Sequence, residues 1–380
     1  MLKCYAVLTQ CRNAVFSSCA AAWPTFPRHL HPRRFIMAAL IEEDLKHCLE
    51  GVTVSRLMGP NEANFAGNVH GGNILKLMEE AGCILATRYY NVAGKKNLPN
   101  YQPGMAALVR VERTDFLQPM YIGEVAELHT ELTFTSAHSI EVLITVFAED
   151  CIKGQKRLTN RARLWYVSMS SDEKVLPIPP LPNTKKIEQG KIRYEKQKKE
   201  RAAHRHTRIE RVPSILQEEL DPQTVGYSQT TLRHLVGVVD TNSAGYVMGG
   251  VIMKLMDECA GLVAVKHCKT NVVTASMDAT NFHQKVKKGS LVTLTGFITF
   301  TSPKSIEIEV VVDAEFLRSG SAQKERAVSS FFTFVSLDSN HRPMPVPQIM
   351  PVTEEELERH KAAEERYLER KRQREQESTS

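Results

Sequence analysis

The chain has 380 residues, with 49 Lys and Arg against 43 Asp and Glu and 42% hydrophobic residues. That length and an ordinary soluble composition suit two or three domains. No apolar run approaches the roughly 18–20 residues that span a bilayer, which excludes an integral membrane helix, and the net charge of +6 is too local to argue for a nucleic-acid partner.

Residues 1–41 contain no Asp or Glu but hold Lys3, Arg12, Arg28, Arg33 and Arg34. Such a stretch reads either as a mitochondrial targeting segment or as a disordered extension. Met37 is a candidate alternative start that would give a cytoplasmic, cytosolic form. Glu42, Glu43 and Asp44 mark the onset of a folded composition. Cys4, Cys11 and Cys19 lie in the extension. The other five cysteines show no metal spacing and are expected as buried thiols of a reducing compartment.

The first domain is expected over residues 50–182 and the second over 214–350, because the chain repeats itself. Residues 66–82, AGNVHGGNILKLMEEAG, return as AGYVMGGVIMKLMDECA at 244–260, identical at 10 of 17 positions with an offset of 178. TFTSAHSIEV from Thr133 returns as TFTSPKSIEI from Thr299 with an offset of 166. Two matches in the same order mean a duplicated domain, each copy with its own core. The offsets differ by 12, so copy one holds extra residues, and 91–104 with their Gly, Pro and Asn read as a loop.

In each copy a glycine pair, Gly71–Gly72 or Gly249–Gly250, opens a helical pattern with a wide apolar arc. Period-two, β-branched stretches follow at 139–149, 290–300 and 305–316. One covered helix followed by antiparallel strands is an α+β architecture. Between the copies, residues 183–213 carry eleven Lys and Arg against four Glu and read as a solvated basic linker. Residues 351–380 read as an exposed charged helix or tail that Thr353 caps.

The runs ANFAGNVHGGNILKLMEEAG and MGGVIMKLMDECAG, with the strand signature FTS…SIE in both copies, resemble the hotdog fold, and the tandem pair resembles its acyl-CoA thioesterase branch. The resemblance covers roughly residues 50–350. It implies two tandem hotdog domains, each an antiparallel sheet wrapped around a central helix. It also implies hydrolysis of medium- to long-chain acyl-CoA, such as palmitoyl-CoA, and assembly into a hexamer of three chains. A hotdog hydroxyacyl dehydratase and a non-catalytic acyl-CoA binder or scaffold are the alternatives.

Thioester hydrolysis needs a polarised carbonyl, an activated water and an apolar site for the acyl chain. No metal or redox cofactor is needed, since a thioester is already activated. Backbone N–H groups at Gly71, Gly72, Gly249 and Gly250 suit the carbonyl; the bland reading is a tight turn that allows close packing. Glu79 and Asp257 lie on the more apolar side of their helices, where a general base is a good reason for a carboxylate. Glu80 and Glu258 follow Lys76 and Lys254 by four and read as surface pairs. Asn64 and Asn242 precede the glycines and read as amides for water or thioester, or as turn formers. The resemblance implies sites that pair Asn64 with Asp257 and Asn242 with Glu79, the first working and the second weak or silent. His70, which the dehydratase alternative would use, is matched by Met248. Lys287 and Lys288 read as solvated turn residues, with the coenzyme's phosphates as the alternative contact.

Overall fold

A computed structural model describes residues 32–64, 67–182, 185–204, 221–316, 324–338 and 340–377. Its contacts separate Met1–Lys46 from His47–Ser380. The first unit is described only from Pro32, where a helix, α1 (Pro32–Glu50), begins. This places regular structure where the sequence reads as the last part of the extension; residues 1–31 and their three cysteines lie outside the described residues. Everything below belongs to the second unit.

Copy one runs β1 (Val52–Leu57), α2 (Gly71–Asn97), β2 (Met105–Val111), β3 (Thr114–Phe116), β4 (Val125–Thr135), β5 (Ile140–Asp150) and β6 (Gln155–Met169). A helix α3 (Lys185–His204) follows. Copy two repeats the order after a short helix, α4 (Val225–Ser228): β7 (Thr230–Leu235), α5 (Gly249–Cys268), β8 (Asn271–Met277), β9 (Thr280–Asn281), β10 (Ser290–Thr301), β11 (Ser305–Phe316), β12 (Lys324–Leu337) and α6 (Glu354–Glu377). The strands form one antiparallel sheet of 12 in the order β1-β4-β5-β6-β3-β8-β12-β11-β10-β7, with β2 between β6 and β9. Each half wraps its central helix, and the halves join where β3 pairs β8 and β2 pairs β9. Both copies even slip register at the same place, after Leu132 and after Ile298. This is the expected α+β pair of tandem hotdogs. Among the described residues no helix is long and apolar enough to cross a membrane.

The two central helices pack on each other through their glycines. A Cβ on Gly72 would lie 2.8 Å from the Lys254 Cα, and one on Gly250 would lie 2.8 Å from the Lys76 Cα. The second glycine of each pair is therefore fixed by close helix–helix approach, not only by helix–sheet packing.

The linker expectation is corrected. Most of residues 183–213 form α3, which lies on the outer face of the copy-one sheet. Arg193 Nε and Nη2 donate to Glu141 Oε1 and Oε2 at 2.8 and 2.5 Å, and Glu141 is 0% exposed. The Tyr194 ring packs 5.6 Å from Phe134 and 5.8 Å from Trp165. The tail expectation is corrected in the same way. In α6, Arg366 and Arg370 both reach the buried Glu307 at 2.6 Å, and Tyr367 packs 5.4 Å from Phe300. Thr353 does cap this helix, with its Oγ1 accepting the Glu356 N–H at 3.2 Å. Arg193 and Tyr194 correspond to Arg366 and Tyr367 at an offset of 173, so each duplicated unit carries its own covering helix. A highly charged sequence becomes structural because its arginines neutralise carboxylates that the sheet buries.

Two smaller expectations also change. Helix α2 continues to Asn97, so only the second half of residues 91–104 is loop. Asn91 anchors that loop by donating to the Gly104 carbonyl at 2.7 Å and accepting from Tyr101 Oη at 2.8 Å. Of the five cysteines outside the extension, Cys151 is exposed, because it sits in the turn between β5 and β6.

Candidate active site

The site grows from a turn. Asn64 N donates to the Asn68 carbonyl at 2.7 Å, and the Asn64 Oδ1 accepts the Asn68 N–H at 3.1 Å. Gly67 completes the turn with φ +80°, a value that strains other residues. Asn242 does the same in copy two, where its Oδ1 accepts N–H groups from Ala244 and Tyr246 at 3.0 and 3.2 Å. Both asparagines therefore hold their loops, and both loops lead directly to the glycine pairs.

Asp257 lies on α5 facing the N-terminus of α2, and it is 0% exposed. Thr274 Oγ1 donates to its Oδ1 at 2.8 Å. Gly72 N lies 2.7 Å from Oδ2 and 3.1 Å from His70 Nδ1. The shorter contact takes the amide proton, which leaves Nδ1, 3.0 Å from the same Oδ2, to donate. Burial opposes a positive imidazole here, but the charge and hydrogen bond of Asp257 outweigh it and raise the His70 pKa above its ordinary value.

One expectation about the glycines changes. The Gly72 N–H is spent on Asp257, and the Gly250 N–H is likewise drawn to Glu79. Neither is left for a substrate carbonyl. Gly71, which opens the helix beside them, borders open space instead. That space is a cavity of about 1260 Å³ between α5 and β8. Asn64, His70, Gly71 and Thr274 line one end of it, and apolar side chains line its length. The structure thus brings Asn64 to the same cavity as the three residues around Asp257.

Thr274 is absent from the sequence-based site. The signal was the offset of 166, which sets Thr274 against Leu108. Thr274→Val should lower kcat about 10- to 100-fold and also lower the thermal unfolding midpoint, since a hydrogen bond to a buried charge contributes about 1.5–3 kcal/mol; steady-state kinetics and a melting curve check it.

The mirror site differs at each of these positions. Glu79, Met248 and Leu108 stand where the first site has Asp257, His70 and Thr274. Glu79 is 3% exposed and its Oε2 has no hydrogen-bond partner. Burial first, then the neighbouring Glu80, pushes its pKa up to about 7. Beside it β2 is tied to α2. Ala106 N donates to Thr87 Oγ1 at 3.0 Å and Cys83 Sγ donates to the Ala106 carbonyl at 3.4 Å, which fastens β2 to α2. Lys287 lies on this side, 3.6 Å from Glu173 and over the Tyr246 ring. Lys254 and Glu258 pair at 2.5 Å and Lys76 and Glu80 at 3.9 Å, as their i,i+4 spacing predicts.

Glu79 gives a pH test. Its folded pKa exceeds its unfolded value, so the folded state holds a proton that the unfolded state releases. That stability is complete below about pH 4.5 and is lost as pH rises through about 7. Glu79→Gln, which stays neutral, should match the wild type at pH 5 and be more stable at pH 8.5, by at most about 3 kcal/mol. Unfolding curves at the two pH values read it out.

Among the described residues no group of three or more His, Cys, Asp or Glu is arranged to hold a metal ion.

Comparison with known proteins gives the family. The family described as Thioesterase superfamily matches residues 66–155 and again 244–318, one match per copy. The mouse protein named cytosolic acyl coenzyme A thioester hydrolase is 51% identical over 333 residues, covering 87% of this chain and 84% of that protein. Its human counterpart is 50% identical over 332 residues, covering 86% and 85%. A crystal structure titled acyl-CoA hydrolase from Bacillus cereus is 34% identical, with a TM-score of 0.39, over 41% of this chain and 94% of that one. With half its residues shared with these relatives over most of both lengths, and a thioesterase match in each copy, the chain belongs to the acyl-coenzyme A thioester hydrolase family.

Proposed function

We propose that this chain hydrolyses medium- to long-chain acyl-CoA, palmitoyl-CoA included, to free fatty acid and coenzyme A. The observation that carries the reading is the Asp257 carboxylate, buried and held by three donors directly behind His70, Gly71 and Thr274, which line the head of a long apolar-walled cavity. Water attacks the thioester carbon and gives a proton to Asp257. The Asn64 amide orients the water or the thioester. The oxyanion that develops faces the Gly71 N–H at the positive end of α2. The tetrahedral intermediate collapses, the C–S bond breaks, and the coenzyme thiolate leaves and takes up a proton. The Glu79 site is silent in this account, because β2 is fastened to α2 beside it and no threonine or histidine holds its carboxylate, Leu108 and Met248 standing in their places.

The His70–Asp257 pair is what a dehydratase would use, so 3-hydroxyacyl-CoA is the control substrate. Thiol release should be seen with acyl-CoA from eight to eighteen carbons, without enoyl product from the control. Absence of thiol release across the series would refute the function. The relatives' names favour a cytosolic enzyme, and the acid-free residues 1–41 favour an additional mitochondrial form. Fractionating cells that express chains started at Met1 or at Met37 separates the two. The uncovered edges β1 and β7, with Leu57 and Leu235 exposed, support homo-oligomer formation; native mass spectrometry should give three chains, six hotdogs, per particle.

A further inference from the structure

The catalytic end of the cavity is not its only polar end. On α5 the cavity wall runs from Glu258 through Gly261, Leu262 and Val265 to Lys266 and Lys269. At 1.5 Å per residue, Lys266 and Lys269 stand about 13 and 18 Å along the helix from Asp257. Leu232, Leu262, Val265, Val272, Phe334 and Met344 supply the walls between. Asn271 and Thr270 join the lysines at the far end. Lys266 is steadied over the Tyr227 ring at 5.3 Å. Lys269 closes the helix in a left-handed conformation, φ 55°. The acid on that rim, Asp338, is turned to its own loop, where its Oδ1 accepts N–H groups from Asn340 and Arg342 at 2.8 Å. The acid at the head, Glu258, is paired with Lys254.

Copy one has no such end. Arg88 and Asn91 hold the equivalent helix positions, and Asn91 is bonded to the Gly104 carbonyl. Copy two thus sets two cations, Lys266 and Lys269, where copy one has Arg88 and the neutral Asn91.

An apolar-walled groove suits the acyl arm of the thioester better than the pantetheine arm, whose two amides and hydroxyl would need partners along the walls. A cation pair at the distal end then asks for an anion on the acyl chain itself. Resting on the reading above that Asp257 heads the acyl site, we propose that the enzyme also hydrolyses ω-carboxyacyl-CoA, the CoA monothioesters of long dicarboxylic acids, with Lys266 and Lys269 receiving the distal carboxylate. An extended chain advances about 1.2 Å per bond, so 13–18 Å corresponds to roughly 11–15 bonds, a diacid of about twelve to sixteen carbons. The chemistry at the thioester is unchanged: water supplies the new C–O bond, the C–S bond breaks, and the ω-carboxylate takes no part.

The test compares dodecanedioyl-CoA with dodecanoyl-CoA on the full chain and on Lys266→Gln/Lys269→Gln. The quantity is the ratio of the two kcat/KM values. In the wild type it should be near or above one. In the double variant it should fall about tenfold, since each partly exposed ion pair contributes a few-fold. A wild-type ratio below about one tenth, the sign of a carboxylate forced into an apolar site, would overturn the proposal. So would an equal loss on both substrates, which would assign the lysines to the coenzyme's phosphates, or an unchanged ratio. Hydrolysis of neither substrate by the wild type would remove the underlying function and this inference with it, whereas hydrolysis of dodecanoyl-CoA alone removes only the inference.

Discussion

Asp257→Asn is expected to lower kcat for palmitoyl-CoA by about 10²–10⁴-fold, the usual contribution of a positioned general base. The substitution keeps the shape of the side chain. Its carbonyl oxygen can still accept the Gly72 N–H, and its amide can still meet Thr274, so the contact between α2 and α5 survives. What is lost is the ability to take a proton from water. The unfolding midpoint should therefore stay close to wild type while kcat falls, and KM should change little. A fall in kcat with a matching fall in stability would mean that Asp257 is instead a structural carboxylate, tied to a helix N-terminus and a threonine.

Arg193→Met should cost about 3 kcal/mol of stability or more, because it leaves the carboxylate of Glu141 buried without its cation. Methionine retains most of the apolar stem, so the loss reports charge more than packing. Lys196→Met on the same helix is the control. Lys196 is 77% exposed and sits 3.9 Å from Glu200, a pair worth at most a few tenths of a kcal/mol. In the double variant Arg193→Met/Glu141→Leu both charges are gone, and much of the stability should return. Denaturant midpoints of the four proteins decide the matter. If α3 were a solvated linker, all four would unfold alike.

Those two residues show where the sequence was legible and where it was not. The duplication, the central helices and the glycine pairs were plain, because they are local patterns written twice. Asp257 stood out because a carboxylate on the apolar side of a helix needs a reason. Glu141 and Glu307 did not, because an acid in a period-two strand reads as its solvent face. Their burial depends on helices that lie 50 residues or more away in sequence and look, by composition, too charged to pack. The Gly72 amide was assigned to the substrate because helix N-termini bind anions; that the anion is Asp257 from the other copy is a long-range fact. Thr274 hid in an apolar strand, and only its replacement by Leu108 in the other copy marks it. Residues 91–97 carried a glycine and read as loop, but Gly94 is tolerated within α2 where a Cβ would press on the Tyr101 ring at 2.8 Å.

The central claim is that one of two pseudo-equivalent sites does the work. Its most direct test is palmitoyl-CoA hydrolysis by Glu79→Gln beside Asp257→Asn, each measured per folded chain at one pH. The predicted result is activity within about twofold of wild type for Glu79→Gln and a loss of at least about 10²-fold for Asp257→Asn. Equal losses in the two variants would contradict it.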